Sequence, residues 1–235
     1  MSLPCFIGKI LDNKIIIEGQ EYHHAINVKR LKIDDKIEVN NLNGNYLIGT
    51  ISKIEKKYFI ATIDRTIEKA LPHINVTLYQ CLPNKLSVID ELIEPISQLN
   101  VATFVPTISD FSRLKLKDIQ KKMLKWEKIA VQSLKQCKRL YPLTIQNPQK
   151  LPNIDSKESL KIVFYENEKN KTLKDLPVKN IESVAVAIGP EGGFNENEIT
   201  VLQKKGFVAL SLSTNILKAE VATIAALAQI ELIFR

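Results

Sequence analysis

Apolar residues in the first part of the chain come in short runs divided by turn signals. Lys14–Glu18 is one run, Asp35–Asn40 and Tyr46–Ile51 flank the turn Asn41-Leu42-Asn43-Gly44, and Tyr58–Asp64 follows. This spacing predicts a small, hairpin-rich β domain, with a short helix over His23–Leu31. Leu71-Pro72 breaks the pattern and predicts a boundary that divides the chain into residues 1–71 and 72–235. Beyond it the period changes. Ile74–Gln80 and Ala102–Val105 read as strands with a helix over Leu86–Gln98 between them, and a long helix over Lys117–Lys138 comes next. Pro142, Pro148 and Pro152 punctuate a connector before further strands at Lys161–Tyr165, Val184–Ile188 and Phe207–Leu212. Val184–Ile188 has no polar member, the pattern of a strand buried on both faces of a parallel sheet. Strands alternating with helices predict an open α/β sheet.

The long helix carries two contrasting faces. Ile119, Met123, Trp126, Ala130, Ser133 and Cys137 recur at steps of three and four, with Lys117, Lys121, Lys125, Lys128, Lys135 and Arg139 on the opposite side. Trp126 is thereby assigned to the core rather than to base stacking. Charge sharpens the picture. The 235 residues carry a net +7, while Arg113–Arg139 alone, with ten basic residues against Asp118 and Glu127, carries +8. A solvated lysine face is the plain alternative, but the scarcity of acidic residues in the segment favours a polyanion such as nucleic acid. Arg113, Lys121, Lys125, Lys128 and Arg139 are its candidate contacts, and Lys29 and Arg30 are two more in the small domain.

Hydrophobic residues at 45% and charged residues at 25% exclude collagen-like, coiled-coil and wholly disordered chains. No uncharged apolar run approaches the ~18 residues of a membrane span, and the opening residues lack the basic-then-apolar pattern of a secretory signal. Cys5, Cys81 and Cys137 have no paired spacing, so neither a disulfide framework nor a zinc site is expected. His23 and His24 are adjacent, face apart on a helix and have no partner ligands. A cytoplasmic protein without membrane or metal is the expectation.

The strongest local signal is Val184–Phe194 followed by Asn195-Glu196-Asn197-Glu198. An apolar strand runs into Gly189-Pro190-Glu191-Gly192-Gly193, and Asn195 with Glu198 makes a capping box for the next helix. Strand, glycine loop and helix mark the place where open α/β sheets bind ligands. The loop lacks the spacing of either common nucleotide-phosphate motif. It holds no cation, and Glu191 would repel phosphate, so a neutral or cationic nucleoside suits it better. A tight turn with a helix cap is the structural alternative. The tail Val221–Phe234 is apolar almost all round, which requires burial or an interface.

The pair Ile188-Gly-Pro-Glu-Gly-Gly-Phe194 and Leu212-x-x-x-Ile216-Leu-Lys-Ala-Glu220-x-Ala222 resembles the signature of the bacterial 16S ribosomal RNA (uracil-N3)-methyltransferases, of the SPOUT superfamily. The stretch Tyr22–Lys32 followed by Asp34-Asp35 is similar to that family's small RNA-binding barrel. Leu78–Gln80, Phe104–Pro106 and Lys135–Arg139 fall in the same order, so the likeness runs over nearly the whole chain. It implies a PUA-like β-barrel followed by an α/β domain with a C-terminal trefoil knot, a homodimer, and S-adenosylmethionine as cofactor. It implies a cofactor pocket lined by Gly189, Pro190, Glu191, Gly192, Gly193, Leu212, Ile216, Leu217, Lys218 and Ala222, with Phe164–Glu166 at its margin. The substrate implied is 16S rRNA of the small subunit.

N3 of uracil gives up its proton reluctantly at neutral pH, so methylation there calls for a cation to stabilise the anion and a base to take the proton. Lys218 and Glu220 are the candidates for these catalytic roles. The family usually has arginine at the position of Lys218, threonine at Val221, and basic residues at Ile26, Pro95 and Phe111. Lysine keeps the charge of arginine but not its two-pronged fork. A non-catalytic rRNA-binding protein with the same fold is therefore the alternative.

Overall fold

The computed structural model describes residues 3–177 and 180–234, which form two compact units. Unit one comprises β1 (Cys5–Ile7), β2 (Lys9–Leu11), β3 (Lys14–Glu18), α1 (Gly19–His23), β4 (Lys36–Asn40), β5 (Tyr46–Ile54) and β6 (Tyr58–Thr66). Its sheet has the order β1-β4-β5-β6-β3-β2, antiparallel except for the β1–β4 pair. The two outermost strands are joined through the single residue Gly8, which a flat sheet could not allow, since neighbouring strands lie about 4.8 Å apart. The sheet therefore curls. Gly8 sits where the curl is tightest: a Cβ there would lie 2.5 Å from the end of Ile17 and 2.9 Å from Val39. Phe6, Ile15, Ile17, Ile37, Val39, Leu47, Ile51, Phe59 and Ala61 fill its interior.

The helix expected over His23–Leu31 lies further forward. α1 begins at Gly19, immediately after β3, and continues as a π-helical turn over His24–Val28. Inward-facing Ala25 is fully buried there, and Leu31 N–H bonds to its carbonyl at 3.1 Å, closing the turn that sequence periodicity reads as ordinary helix.

Unit two holds β7 (Asn75–Cys81), α2 (Leu86–Gln98), β8 (Val101–Ile108), α3 (Leu116–Cys137) up to Ser133, β9 (Thr144–Ile145), β10 (Gln149–Lys150), β11 (Leu160–Phe164), β12 (Ser183–Ile188), α4 (Glu196–Lys204), β13 (Val208–Leu210) and α5 (Ala219–Ile233). The sheet order is β10-β8-β7-β12-β11-β13, with every pairing parallel and β9 set against β8. Both faces are covered. Val184, Val186 and Ile188 pack with α2, α3 and α5, while Ala185 and Ala187 pack with Phe194, Ile199 and Leu202 around α4.

The structure places Leu134–Pro142 with unit one, although the sequence assigns them to the second domain. The reason is electrostatic. Lys135 reaches Glu21 at 2.8 Å and is only 10% exposed, Lys138 reaches Glu38 at 2.9 Å, and Asn40 donates to the carbonyls of Arg139 and Leu140. Lys135 thus leaves the outward row of cations, and Arg139 is half-buried beside it, its guanidinium pKa lowered by burial. Of the expected stripe, Ile119, Trp126, Ala130 and Ser133 are buried while Met123 and Cys137 are half-buried, and Leu134, absent from that stripe, is buried too. Among the described residues no helix is long and apolar enough to cross a membrane.

One carboxylate ties α2 to α3. Asp90 accepts from the Trp126 indole N–H at 2.8 Å, from Lys122 at 2.8 Å and from Lys125 at 2.6 Å. Burial alone would raise its pKa, but the two ammonium groups and the indole outweigh that and hold it below the ordinary carboxylate range. A group depressed on folding contributes stability above its unfolded pKa and loses it as pH falls through the folded one. Asp90→Asn is therefore expected to cost about 2 kcal/mol at neutral pH, with the deficit shrinking as pH drops below about 4. Urea unfolding of both proteins at a series of pH values measures this; a deficit independent of pH would count against it.

Candidate functional site

β12, β11 and β13 are neighbours and all parallel, so the loops at their carboxyl ends meet on one edge of the sheet. A cavity of ≈ 240 Å³ opens among them, lined by Phe164–Glu166 and Lys169 after β11, Ile188–Gly193 after β12, and Ser211–Leu217 after β13. Ala219 and Ala222 at the start of α5 form the floor, where small side chains let the helix approach. The loops are bonded to one another and to α5. Tyr165 N–H donates to the Leu210 carbonyl at 3.0 Å, Ser211 N–H to the Lys171 carbonyl at 2.7 Å, and Gln229 Nε2 to the Leu212 carbonyl at 3.3 Å. Beneath them the Thr223 hydroxyl donates to buried Gln80 Oε1 at 2.6 Å.

Gly193 shows why this loop is written in glycine. Its φ is +69°, which side-chain-bearing residues rarely adopt, and a Cβ there would collide with the Glu166 carboxylate. The turn is closed by the Gly193 N–H donating to the Pro190 carbonyl at 2.9 Å. α4 then opens with the expected capping box, Asn195 accepting from the Glu198 N–H at 2.9 Å and Glu198 from the Asn195 N–H at 3.0 Å. Glu198 also does something the sequence did not disclose: its other oxygen accepts the Asp110 N–H at 2.9 Å, and Asn195 Nδ2 donates to the Asp110 carboxylate at 2.9 Å. The loop after β8 is thereby fixed beside the glycine loop.

Of the cofactor-binding candidates, Gly189, Pro190, Glu191, Gly192, Gly193, Leu212, Ile216, Leu217 and Ala222 line the cavity. Lys218 does not: it is the exposed residue preceding α5, and Glu220 stands half-buried in that helix's first turn, also outside the walls. Lys169, Ser211 and Ala219 are wall residues that sequence reasoning missed. The strand ends were visible in the hydrophobic pattern, but which residues of a loop turn inward was not. The cavity's charged residues are Glu166, Glu191 and Lys169, with Lys169 donating to the Glu166 carbonyl.

The cation candidates divide. Lys29 and Arg30 are exposed in unit one, Arg30 with φ +56°. Arg113, Lys121 and Lys128 are exposed in unit two, Lys121 lying 3.5 Å from Asp118. Lys125 is engaged by Asp90, a partner from α2 that a reading confined to the helix's own sequence could not find. Among the described residues no cluster of three or more His, Cys, Asp and Glu is placed to hold a metal ion.

Comparison with known proteins adds the following. A family model described as an RNA methyltransferase domain matches residues 69–231, and one described as an RNA methyltransferase PUA domain matches residues 17–64. Ribosomal RNA small subunit methyltransferase E of Aquifex aeolicus is 31% identical over 215 residues, covering 89% of this chain and 90% of that protein. Its namesake from Buchnera aphidicola subsp. Schizaphis graminum is 31% identical over 231 residues, covering 94% and 92%. Among solved structures, a Legionella pneumophila methyltransferase in complex with bound S-adenosylmethionine superposes with TM-score 0.87 at 24% identity, covering 99% and 98% of the two chains. A ribosomal RNA small subunit methyltransferase E from Neisseria gonorrhoeae bound to the same molecule superposes with TM-score 0.84 at 22% identity, covering 98% and 97%. At these identities the structural likeness speaks for the fold.

Gly193→Ala should lower stability chiefly through the φ, with Glu166, whose carboxylate ends a flexible side chain, adding only the cost of swinging aside. The φ term alone is about 1 kcal/mol, or roughly 2–4 °C in Tm for a chain of this size. In a Glu166→Ala background only that term should remain. A double-mutant cycle by thermal denaturation reads the difference; equal losses in both backgrounds would remove Glu166 from the account.

Proposed function

The chain belongs to the RNA methyltransferase family, and from that premise we propose that it transfers a methyl group from S-adenosylmethionine to N3 of a uracil in 16S ribosomal RNA. The observation that carries this reading is the cavity at the joined carboxyl ends of β11, β12 and β13. Its walls suit the cofactor. Glycine backbone and small side chains leave room for a nucleoside, and the carboxylates of Glu166 and Glu191 favour a ligand bearing ammonium and sulfonium charge over a phosphorylated one. When bound, S-adenosylmethionine supplies an electrophilic methyl group on a sulfonium sulfur.

The protein's own part is to hold, to exclude water and to manage one proton. Backbone groups of 189–193 and 211–217 bind and orient, with Leu212, Ile216 and Leu217 supplying apolar cover. Lys218, on a flexible stem just before α5, is the cation proposed to stabilise the uracil anion, and Glu220 in the first turn is a proposed acceptor for the N3 proton. Methyl transfer is favoured over a binding-only role because the cavity is formed and Gly189, Gly192 and Gly193 line it. The rail of Lys121 and Lys128, with Arg113, is proposed to meet RNA phosphates, with Lys29 and Arg30 adding contacts from the small domain. Lys125 and Arg139 are secondary, one held by Asp90 and the other half-buried.

The same reading proposes a cytoplasmic homodimer whose α/β domain carries a trefoil knot at its C-terminal end. The dimer rests on α5, where Val221, Ile224 and Leu232 are 46%, 39% and 78% exposed with Ala228 between them. They form one apolar stripe on a helix whose other sides pack inward, the kind of patch that marks a protein interface. Sedimentation equilibrium at micromolar concentration is expected to give a dimer that Leu232→Glu dissociates; a monomeric parent protein would end this part of the reading.

The test of the function is methyl transfer to purified, unmodified small ribosomal subunits, with the product nucleotide located by mass spectrometry and cofactor binding followed by calorimetry. A methylated uracil N3 is expected. No cofactor binding, or a methyl group on carbon or ribose oxygen, would defeat the proposal. In the same assay Lys121→Ala with Lys128→Ala should flatten the salt dependence of RNA binding by about one unit of slope per lost phosphate contact.

A further inference from the structure

A second cavity, ≈ 350 Å³, opens on the other side of the glycine loop. Pro190, Glu191 and Gly192 line it as they line the first cavity, so the two share a wall. Its remaining walls come from the carboxyl ends of β7 and β8: Pro83 and Asn84 after one, Asp110, Phe111 and Arg113 after the other. The reading above uses Arg113 and Glu191 separately and gives the space between them no occupant.

Three features give this cavity a chemistry. The Phe111 ring is 46% exposed, and its Cγ lies 3.4 Å from the point a Cβ on Gly192 would occupy, so one edge rests on the shared wall while the rest is open. The exposure is fixed by the surrounding bonds. Asp110 N–H is held by Glu198, Ser112 N–H bonds to the Ser109 carbonyl at 3.0 Å, the Ser112 hydroxyl to the Leu82 carbonyl at 2.7 Å, and Arg113 N–H to Asn84 Oδ1 at 3.1 Å. A loop pinned at Asp110, Ser112 and Arg113, on both sides of its aromatic residue, holds that ring ready for a partner. Arg113, two residues on, is exposed beside it. The third feature is Glu191, exposed on the wall between the cavities with no hydrogen bond or ion pair to its carboxylate among the described residues.

An exposed aromatic, an adjacent guanidinium and an unpaired acceptor suit one ligand class. Single-stranded RNA is recognised by stacking bases on aromatic rings, with cations on the backbone and hydrogen bonds to the pairing edge. We propose that this second cavity seats an unpaired nucleobase of the RNA, stacked on Phe111, with Arg113 on the adjoining phosphate and Glu191 accepting a hydrogen bond from a ring N–H. A carboxylate acceptor selects uracil or guanine, which carry a ring N–H on their pairing edge, over cytosine and adenine, which do not. The base then lies against the wall that it shares with the first cavity. Glu191 becomes a second carboxylate, besides Glu220, for the proton at that nitrogen, and the one that borders both cavities. The inference rests on reading the chain as an RNA-modifying protein.

The first arm of its test needs no methyl donor. A ten-nucleotide oligouridylate carrying 5-iodouridine is irradiated with the full chain, and the adducts are mapped by mass spectrometry. An adduct on Phe111 is expected. By fluorescence anisotropy Phe111→Ala should weaken oligouridylate binding at least about fivefold, with Phe111→Tyr retaining it and cofactor affinity unchanged in both. Glu191→Ala should erase the preference for oligouridylate over oligocytidylate. Adducts that avoid Phe111, an unchanged affinity in Phe111→Ala, or a loss that Phe111→Tyr shares would overturn the proposal. Adducts on Phe111 in a protein that methylates no ribosomal subunit would leave the base seat standing and remove the methyltransferase reading. Methylation with adducts elsewhere would do the reverse.

Discussion

Parallel strand pairing is the constraint from which the site follows. Strands that all run one way deliver all their carboxyl-terminal loops to one edge, and β12, β11 and β13 are consecutive in that order. Ligand groups therefore need no special arrangement to converge; what needs arranging is space. Loops crowded at the ends of three adjacent strands leave little of it, and Gly193 is the result, a position with φ +69° where a Cβ would fall on the Glu166 carboxylate. The alanines at the start of α5 answer the same demand from below. Cofactor-sized room is thus produced by what side chains omit.

Much of this was legible in the sequence. The apolar run through Val184–Ile188, the glycines after it and the Asn195–Glu198 box specify strand, turn and helix start by strictly local physics, and the structure has each of them where the pattern put it. The hidden parts are those in which a residue is governed by a partner far away in sequence. Lys125 and Lys135 have the same helical spacing as Lys121 and Lys128, yet Asp90 claims the first and Glu21 the second. Periodicity distinguishes faces of a helix and is silent about which neighbour each face meets. The second use of Glu198 is of this kind, joining residues 88 positions apart in sequence, and so is the inclusion of Leu134–Pro142 in the small unit.

Charge and apolar surface are kept apart in unit two. The outward lysines of α3 lie on an element whose inner face carries Trp126, and the cavity between the strand ends is bordered by two glutamates and one lysine. On the proposed reading the lysines of α3 meet the polyanion while the cavity takes the cationic small molecule, and the two come together only at the wall of Pro190, Glu191 and Gly192. The exposed stripe on α5 is a third, uncharged surface.

The pairing of β7 with β12 has a consequence for how the molecule is made. These neighbours align Asn75 with Ser183, roughly a hundred residues apart along the chain. A ribosome extending the protein releases β7 and β8 early, and the inner strand of the future sheet waits with one side unfilled until the glycine loop's own strand emerges. In the finished fold α2, locked to α3 through Asp90, covers one face of that pair. A helix pair that docks on β7 and β8 before β12 arrives would shield that face, and mutations that loosen the pair are expected to lower the yield of soluble protein during synthesis.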